Sequence, residues 1–178
     1  DEARSFAKET HKMDPLNHAG VYELAKLGVC ERDTLWNLMR GDNHNYIELA
    51  LIYAAAGLYY EAEDVLRNAP CDEPMVHYYL YKYTGDASEL EKAEKASSLY
   101  CFPNRLDDIA ILKNAIDNGG VYAAYYLGCL YYDRGRWQDA EKLWESVADK
   151  ITLPTVHRNL ALAYYNKEGD PKKAKKEM

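Results

Sequence analysis

Phenylalanine is nearly absent from this sequence, with two copies among 178 residues, and no long apolar run is present. A bilayer-spanning helix needs about 20 consecutive apolar residues, so the sequence predicts no membrane span and no membrane partner. Basic residues are also in deficit, because 22 Lys and Arg against 29 Asp and Glu give a formal net charge of −7. Broad nucleic-acid binding needs a basic surface, so we expect no nucleic-acid partner.

Cysteine is sparse as well. The four copies are widely separated and none belongs to a Cys-x-x-Cys pair: Cys30, Cys71, Cys101 and Cys129. This spacing favours buried free thiols over a disulfide framework or a zinc site. No signal peptide is visible, and free thiols are typical of a reducing compartment, so we expect a cytoplasmic protein.

Residue patterns that carry catalysis are missing. No glycine-rich phosphate loop and no metal-binding motif of the His-Glu-x-x-His type occurs, and the histidines are scattered: His11, His18, His44, His77 and His157. Asp107 and Asp108 are adjacent, so on a helix they point in different directions, which indicates solvated or helix-start charges and not an acid/base pair. We therefore expect no catalytic residues, no metal, no cofactor and no enzymatic activity.

What the sequence does contain is tyrosine, with 17 copies, and an internal repeat. The stretch 121–147 has the spacing of a helix, a tight turn and a second helix. Seven of its positions recur 78 residues earlier: Leu127, Gly128, Tyr131, Gly135, Trp137, Ala140 and Trp144 match Leu49, Ala50, Tyr53, Gly57, Tyr59, Ala62 and Leu66. The pattern returns downstream as Leu160, Ala161 and Tyr164, with Gly169 and Ala174 displaced by one residue.

The residue types in the 121–147 unit fit a packed helix pair. Leu127 and Tyr131 are four apart and share one helix face. Gly128 removes a side chain where the second helix must approach, and Gly135 suits a left-handed turn between the helices. Trp144 fills the space beyond the crossing. A single pair cannot bury its own apolar face, so neighbouring pairs must stack.

The rest of the chain reads as further helices, about twelve in all, with no confident strand. We expect helices over 1–12, 15–28, 73–83, 88–98, 104–116 and 154–165, a short one capped by Asp33 or Thr34, one capped by Asn43, and a last one from Pro171. Asn104 is the expected cap of the helix that carries Leu106, Ile109, Leu112 and Ile116 on one side. No linker divides the chain, so we predict one α-solenoid over 1–178, clearest in 43–70, 121–150 and 154–178. The ends at Asp1 and Met178 suggest a piece of a longer protein.

These units resemble the tetratricopeptide repeat, an antiparallel helix pair of about 34 residues. The resemblance implies an all-α fold, a right-handed α-α superhelix, whose first helices line a concave surface. A weaker resemblance rests on the phrases LALIYAAAGLYYEAEDVL, FPNRLDDIAILKNAI and TVHRNLALAYYNKEGDP. These are similar to the repeat region that follows an uncharacterised, possibly carbohydrate-related β-sandwich domain in large bacterial proteins, which implies a bacterial origin.

The resemblance also implies a groove. On the helix from Val121 the groove face should carry Tyr122, Tyr125, Cys129, Tyr132 and Asp133, and on the next first helix Arg158, Asn159, Leu162, Tyr165 and Asn166. The early repeat would offer His44, Ile47, Glu48, Leu51 and Ala55, with Tyr78, Tyr79, Lys82 and Tyr83 adding to the surface. Tyrosine is enriched in recognition surfaces. The alternative, that most of these tyrosines only pack between repeats, stays open at this point.

Three functions compete on this basis. The first is a non-catalytic protein- or peptide-binding domain, and the second is a docking or assembly domain for another domain of the same chain. The third and weakest is a carbohydrate-binding or enzymatic role for the tyrosines and Asp133. Family members that bind acidic chaperone tails use a Lys/Asn clamp. The corresponding positions here carry Ile47, Leu51, Tyr125 and Cys129, so this clamp is absent.

Overall fold

A computed structural model describes residues 2–70 and 72–178, and all regular structure within these ranges is helical. Asp1, the first residue of the helix expected over 1–12, and the expected thiol at Cys71 lie outside the described residues. The chain forms two compact units, residues 1–72 and 73–178. The all-helical class and the count of twelve α-helices, in the part of the chain that is described, agree with the sequence. The single continuous superhelix stays a prediction. No described helix is long and apolar enough to span a bilayer.

The first unit contains five helices that pack mainly on their sequence neighbours. They are α1 Glu2–Met13, α2 His18–Lys26, α3 Arg32–Leu38, α4 Asn43–Ala55 and α5 Tyr59–Arg67. Gly57, between α4 and α5, has φ of 77°, a left-handed conformation that glycine adopts without steric cost. The tight turn folds α5 back onto α4, as the repeat predicts.

The second unit contains seven α-helices and one π-helical segment, packed mainly as neighbours along the chain, except that α8 packs on α6 and α9. They are α6 Pro74–Thr84, α7 Ala87–Lys95, α8 Leu106–Asp117, α9 Tyr122–Asp133, α10 Trp137–Val147, α11 Pro154–Ala163, the π segment Tyr164–Glu168 and α12 Pro171–Lys176. Pro74, Pro154 and Pro171 each occupy the first turn of a helix, where the missing N–H removes no helical hydrogen bond. The predicted helix over 73–83 is confirmed.

Several predicted helix ends are wrong by a few residues. The residue that caps α4 is Asp42, whose carboxylate accepts from the His44 N–H, and not Asn43. Glu31 and Arg105 precede α3 and α8, where Asp33 or Thr34 and Asn104 were expected. The sequence offers several polar residues at each of these ends, and pattern alone does not choose between neighbours.

The start of α8 differs from the sequence prediction in a second way. Leu106, expected on the apolar side, is exposed, whereas Asp108, expected to be solvated or a helix-start charge, is 1% exposed. The Asp108 carboxylate accepts hydrogen bonds from the backbone N–H groups of Asn104 and Arg105, both at 2.9 Å. It also accepts one from the Tyr79 hydroxyl at 2.7 Å. Asp108 is thus a helix-start charge that is buried because its acceptor positions are filled.

Buried tyrosines that donate to carboxylates recur through both units. The alkyl and ring atoms fill the core while the hydroxyl reaches an acid on another helix, so the polar atom is satisfied on burial. The five pairs are Tyr22–Asp64, Tyr53–Glu23, Tyr78–Glu94, Tyr79–Asp108 and Tyr164–Glu145, at 2.6–2.8 Å. Burial and the neighbouring carboxylate raise the pKa of all five phenols above the ordinary value. Much of the tyrosine content is therefore structural.

Gly128 is the point of closest approach between α9 and α10. A Cβ at this position would lie 2.4 Å from Nε1 of Trp144, closer than carbon and nitrogen can pack. The same indole N–H donates to the backbone carbonyl of Tyr125 at 3.2 Å. The absence of a side chain at residue 128 therefore lets the Trp144 ring lie against the backbone of α9, as the sequence predicted.

Candidate binding cavity

A cavity of about 290 Å³ opens between α9 and α11, with α10 behind it. Its walls come from three helices of the second unit: Cys129, Tyr132 and Asp133 from α9, Trp144 from α10, and Arg158, Asn159 and Leu162 from α11. The structure thus brings together six of the ten groove candidates in the 121–166 region. It adds Trp144, which the sequence assigned to packing alone.

Helical spacing explains why these side chains meet. Cys129, Tyr132 and Asp133 are separated by three and four residues, so they lie on one face of α9. Arg158 and Leu162 are related in the same way on α11. Each set is therefore one stripe of a helix, and the cavity is the space between the two stripes.

The inner part of the cavity is apolar. The rings of Tyr132 and Trp144 are tilted against each other with centroids 5.5 Å apart. Leu162 lines the cavity from α11 and is 46% exposed, so it lies toward the opening. Burial raises the pKa of the Cys129 thiol, so at neutral pH this side chain is an uncharged, weakly polar wall. Such a lining suits an apolar or aromatic group.

The mouth of the cavity is polar, and Arg158 supplies a cation there. Arg158 donates to the amide oxygen of Asn159 at 3.3 Å, and the amide nitrogen of Asn159 contacts the Cys129 sulfur at 3.8 Å. Lys167 Nζ lies 6.0 Å from the centroid of the Tyr132 ring. Among the described residues, no carboxylate pairs with Arg158 or Lys167. Asp133, the acid at the mouth, lies 3.6 Å from Arg134 Nε.

The remaining groove candidates lie elsewhere. The hydroxyls of Tyr125 and Thr155 form a hydrogen bond of 3.0 Å. Burial raises the pKa of Tyr125 to about 12. Tyr122 begins α9, and its backbone N–H donates to Glu94. Tyr165, 63% exposed, and Asn166 belong to the π-helical segment. A π turn changes the angular spacing of side chains, which is why the α-helical spacing used on the sequence did not locate these two residues.

Some of the groove residues expected in the earlier helices are buried instead of lining a surface. Tyr78 and Tyr79 were expected to add to the surface, but both are fully buried, and Ile47 is buried too. For Tyr78 and Tyr79 the alternative interpretation, packing between helices, is correct. Helical spacing identified a face of each helix, but it did not reveal that a neighbouring helix covers that face.

The described residues, 2–70 and 72–178, form no cluster suited to binding a metal ion. No group of three or more His, Cys, Asp or Glu side chains is arranged to hold a metal ion there. His77 lies 2.7 Å from Glu89, and His157 lies 2.8 Å from Glu177. The described cysteines, Cys30, Cys101 and Cys129, are free, and burial raises the pKa of Cys101 to about 12, so its thiol stays protonated at neutral pH.

Comparison with known proteins does not assign the chain to a family. No protein-family model matches the sequence, and no curated protein matches it. Two solved crystal structures of MamA resemble the chain. One is 20% identical, with 96% of this chain and 80% of that chain covered and a TM-score of 0.40. The other is 17% identical, with 98% and 85% covered and a TM-score of 0.41. At these scores the likeness carries no argument, and the class of the protein, all-helical and built from paired neighbouring helices, rests on its own structure.

Proposed function

We propose that the chain is a non-catalytic protein- or peptide-binding domain and that the cavity between α9 and α11 receives one side chain of its ligand. The observation that supports this most directly is the lining. Stripes of α9 and α11 leave a recess of about 290 Å³ whose inner part is apolar and whose mouth is polar. Recesses of this kind anchor ligands, since apolar walls supply affinity and a few polar groups fix orientation.

Charge narrows the ligand class. The chain has a net charge of −7, yet Arg158 lines the cavity without a carboxylate partner among the described residues. Lys167, also without one, lies 6.0 Å from the Tyr132 ring, while Asp133, the acid in the lining, pairs with Arg134. Unpaired cations on an acidic protein attract acidic ligands. The proposed ligand is therefore an extended segment with an apolar or aromatic residue next to an Asp or Glu.

A displayed library of random 12-residue peptides tests this function. We expect enriched peptides to share an apolar residue beside an acidic one. Their affinity should fall about tenfold or more with Arg158→Glu, because an attractive charge at the mouth becomes repulsive. Lys150→Glu makes the same change of charge at an exposed residue away from the cavity and should leave affinity unchanged. A library that yields no specific peptide, or peptides that bind Arg158→Glu and the parent equally, would contradict the proposal.

A further inference from the structure

The segment between α7 and α8, together with the first residue of α8, exposes large apolar side chains over a short length of chain. Four side chains within eight residues are largely exposed: Leu99 by 75%, Tyr100 by 86%, Phe102 by 68% and Leu106 by 74%. We name these four residues the loop patch. Single exposed apolar residues are ordinary on a protein surface, whereas four within eight residues concentrate apolar surface in one segment, as contact sites do.

Buried residues and hydrogen bonds anchor the segment that carries the loop patch. Cys101 and Pro103, which alternate with the exposed residues, are buried. Asp108 accepts the backbone N–H groups of Asn104 and Arg105, and Arg134 donates to the carbonyl of Asn104 at 2.6 Å. These hydrogen bonds fix the backbone at Asn104 and Arg105, and the side chains of the loop patch face solvent. A fixed apolar surface loses little conformational entropy on association.

Tyr100 adds a further sign of constraint. Its φ is 62°, a left-handed conformation that is unfavourable for a bulky side chain and persists only where the surroundings impose it. The backbone thus holds the ring of Tyr100 outward at some cost in free energy.

The charged residues next to the loop patch, in sequence or by contact with it, are balanced in number, and Arg105 and the exposed Asp107 on either side of Leu106 carry opposite charges. Lys95 pairs with Glu91 at 3.4 Å, and Arg134 pairs with Asp133 at 3.6 Å. This neutral rim offers no excess of positive charge to attract an anionic membrane. Because the chain as a whole carries −7, a neutral apolar area is also where two copies approach each other with least repulsion.

We propose that the loop patch is the contact surface of a homodimer, in which the same patch of a second copy covers it. Two aromatic and two leucine side chains at these exposures present roughly 500 Å² of apolar surface per copy. Two copies would then bury roughly 1,000 Å², the lower bound for a specific interface. A two-fold axis through the patch satisfies both copies at once and closes the assembly at two.

Sedimentation velocity of the full chain over about 1–200 µM tests the proposal. We expect a reversible monomer–dimer equilibrium with a dissociation constant in roughly the micromolar range, as is typical of interfaces of this small size. Raising the salt concentration should strengthen the dimer, since salt screens the repulsion between two acidic copies.

The variant Tyr100→Asn with Phe102→Ser should remove the dimer while the far-ultraviolet circular dichroism stays unchanged, since both side chains are exposed and Asn tolerates left-handed φ. The matched control is Tyr60→Asn with Leu16→Ser, which removes one exposed tyrosine and one exposed apolar residue elsewhere and should dimerise like the parent. A parent chain that is monomeric at 200 µM would overturn the proposal, whether or not it binds phosphatidylcholine vesicles in flotation. A series of species larger than the dimer would overturn it as well.

Discussion

At the scale of single residues, the molecule is organised by buried hydroxyl–carboxylate pairs. Tyr79 and Asp108 form the most enclosed pair, because both side chains are buried and the same carboxylate also receives two backbone N–H groups at the start of α8. The contact therefore ties the middle of α6 to the first turn of α8. The sequence showed an excess of tyrosine but not which tyrosines were covered, because coverage depends on helices distant in the chain.

Tyr79→Phe tests the worth of this pair. The variant keeps the ring but leaves Asp108 without one donor, so we expect the free energy of unfolding to fall by about 1–3 kcal/mol. Tyr165→Phe is the control, since its side chain is largely exposed and the change should cost less than about 0.5 kcal/mol. Urea denaturation measures both. Equal stability of the two variants would mean that the buried hydrogen bond contributes nothing net.

The lowered pKa of Glu89 should make the free energy of unfolding depend on pH. Burial acts to raise the pKa of this carboxyl, but hydrogen bonds with Lys92 and His77, both at 2.7 Å, outweigh burial and hold the pKa below its ordinary value of 4.5. A carboxyl with a lowered pKa in the folded state stabilises the fold above its unfolded pKa. This contribution is lost as the pH falls through the folded pKa.

We therefore expect Glu89→Gln to destabilise the protein at pH 7 by about 1–3 kcal/mol and to differ less and less from the parent as the pH falls below 4.5. Unfolding curves between pH 3 and pH 7 give the comparison. Glu91→Gln, a change at an exposed carboxyl on the same helix, is the control. A difference between parent and Glu89→Gln that grows on acidification would contradict the assigned sign.

At the scale of helices, the repeated spacing predicted the paired elements because a glycine-ended turn and a shared apolar face are local properties. Gly57 and Gly135 both take left-handed φ, at 77° and 75°. The sequence did not reveal the π-helical turn after α11 or the exposed position of Leu106. Both depend on how a helix end meets the rest of the unit, and no local pattern records that.

The sizes of residues 128 and 144 are matched to each other. At the corresponding positions of the early unit, Ala50 is larger than Gly128 and Leu66 is smaller than Trp144. Gly128→Ala alone places a Cβ against Trp144 and should lower the free energy of unfolding by about 1–3 kcal/mol. Combined with Trp144→Leu, the same change should cost less than the sum of the two single variants.

A double-mutant cycle by chemical denaturation measures that coupling. Strict additivity of the two changes would show that the indole and the α9 backbone do not limit each other, contrary to the close approach in the structure.

At the scale of the whole molecule, the sequence predicted the all-helical class but not the two compact units, 1–72 and 73–178. No glycine- or serine-rich stretch and no change of composition marks the boundary. The candidate cavity was predicted in part. One stripe of α9 and one of α11 could be read from spacing, while Trp144 entered the site only because Gly128 lets its ring approach, and Tyr165 was misplaced by the π turn.

The central functional claim is that the cavity between α9 and α11 holds an apolar side chain of an acidic ligand. A crystal structure of the chain with a peptide selected from the random library tests it most directly. The account predicts an apolar side chain between Tyr132, Trp144 and Leu162, with a carboxylate of the peptide at the Arg158 guanidinium. A peptide bound on another surface, such as the recess lined by Ile116, Tyr131 and Leu143, with the α9–α11 cavity empty, would contradict it.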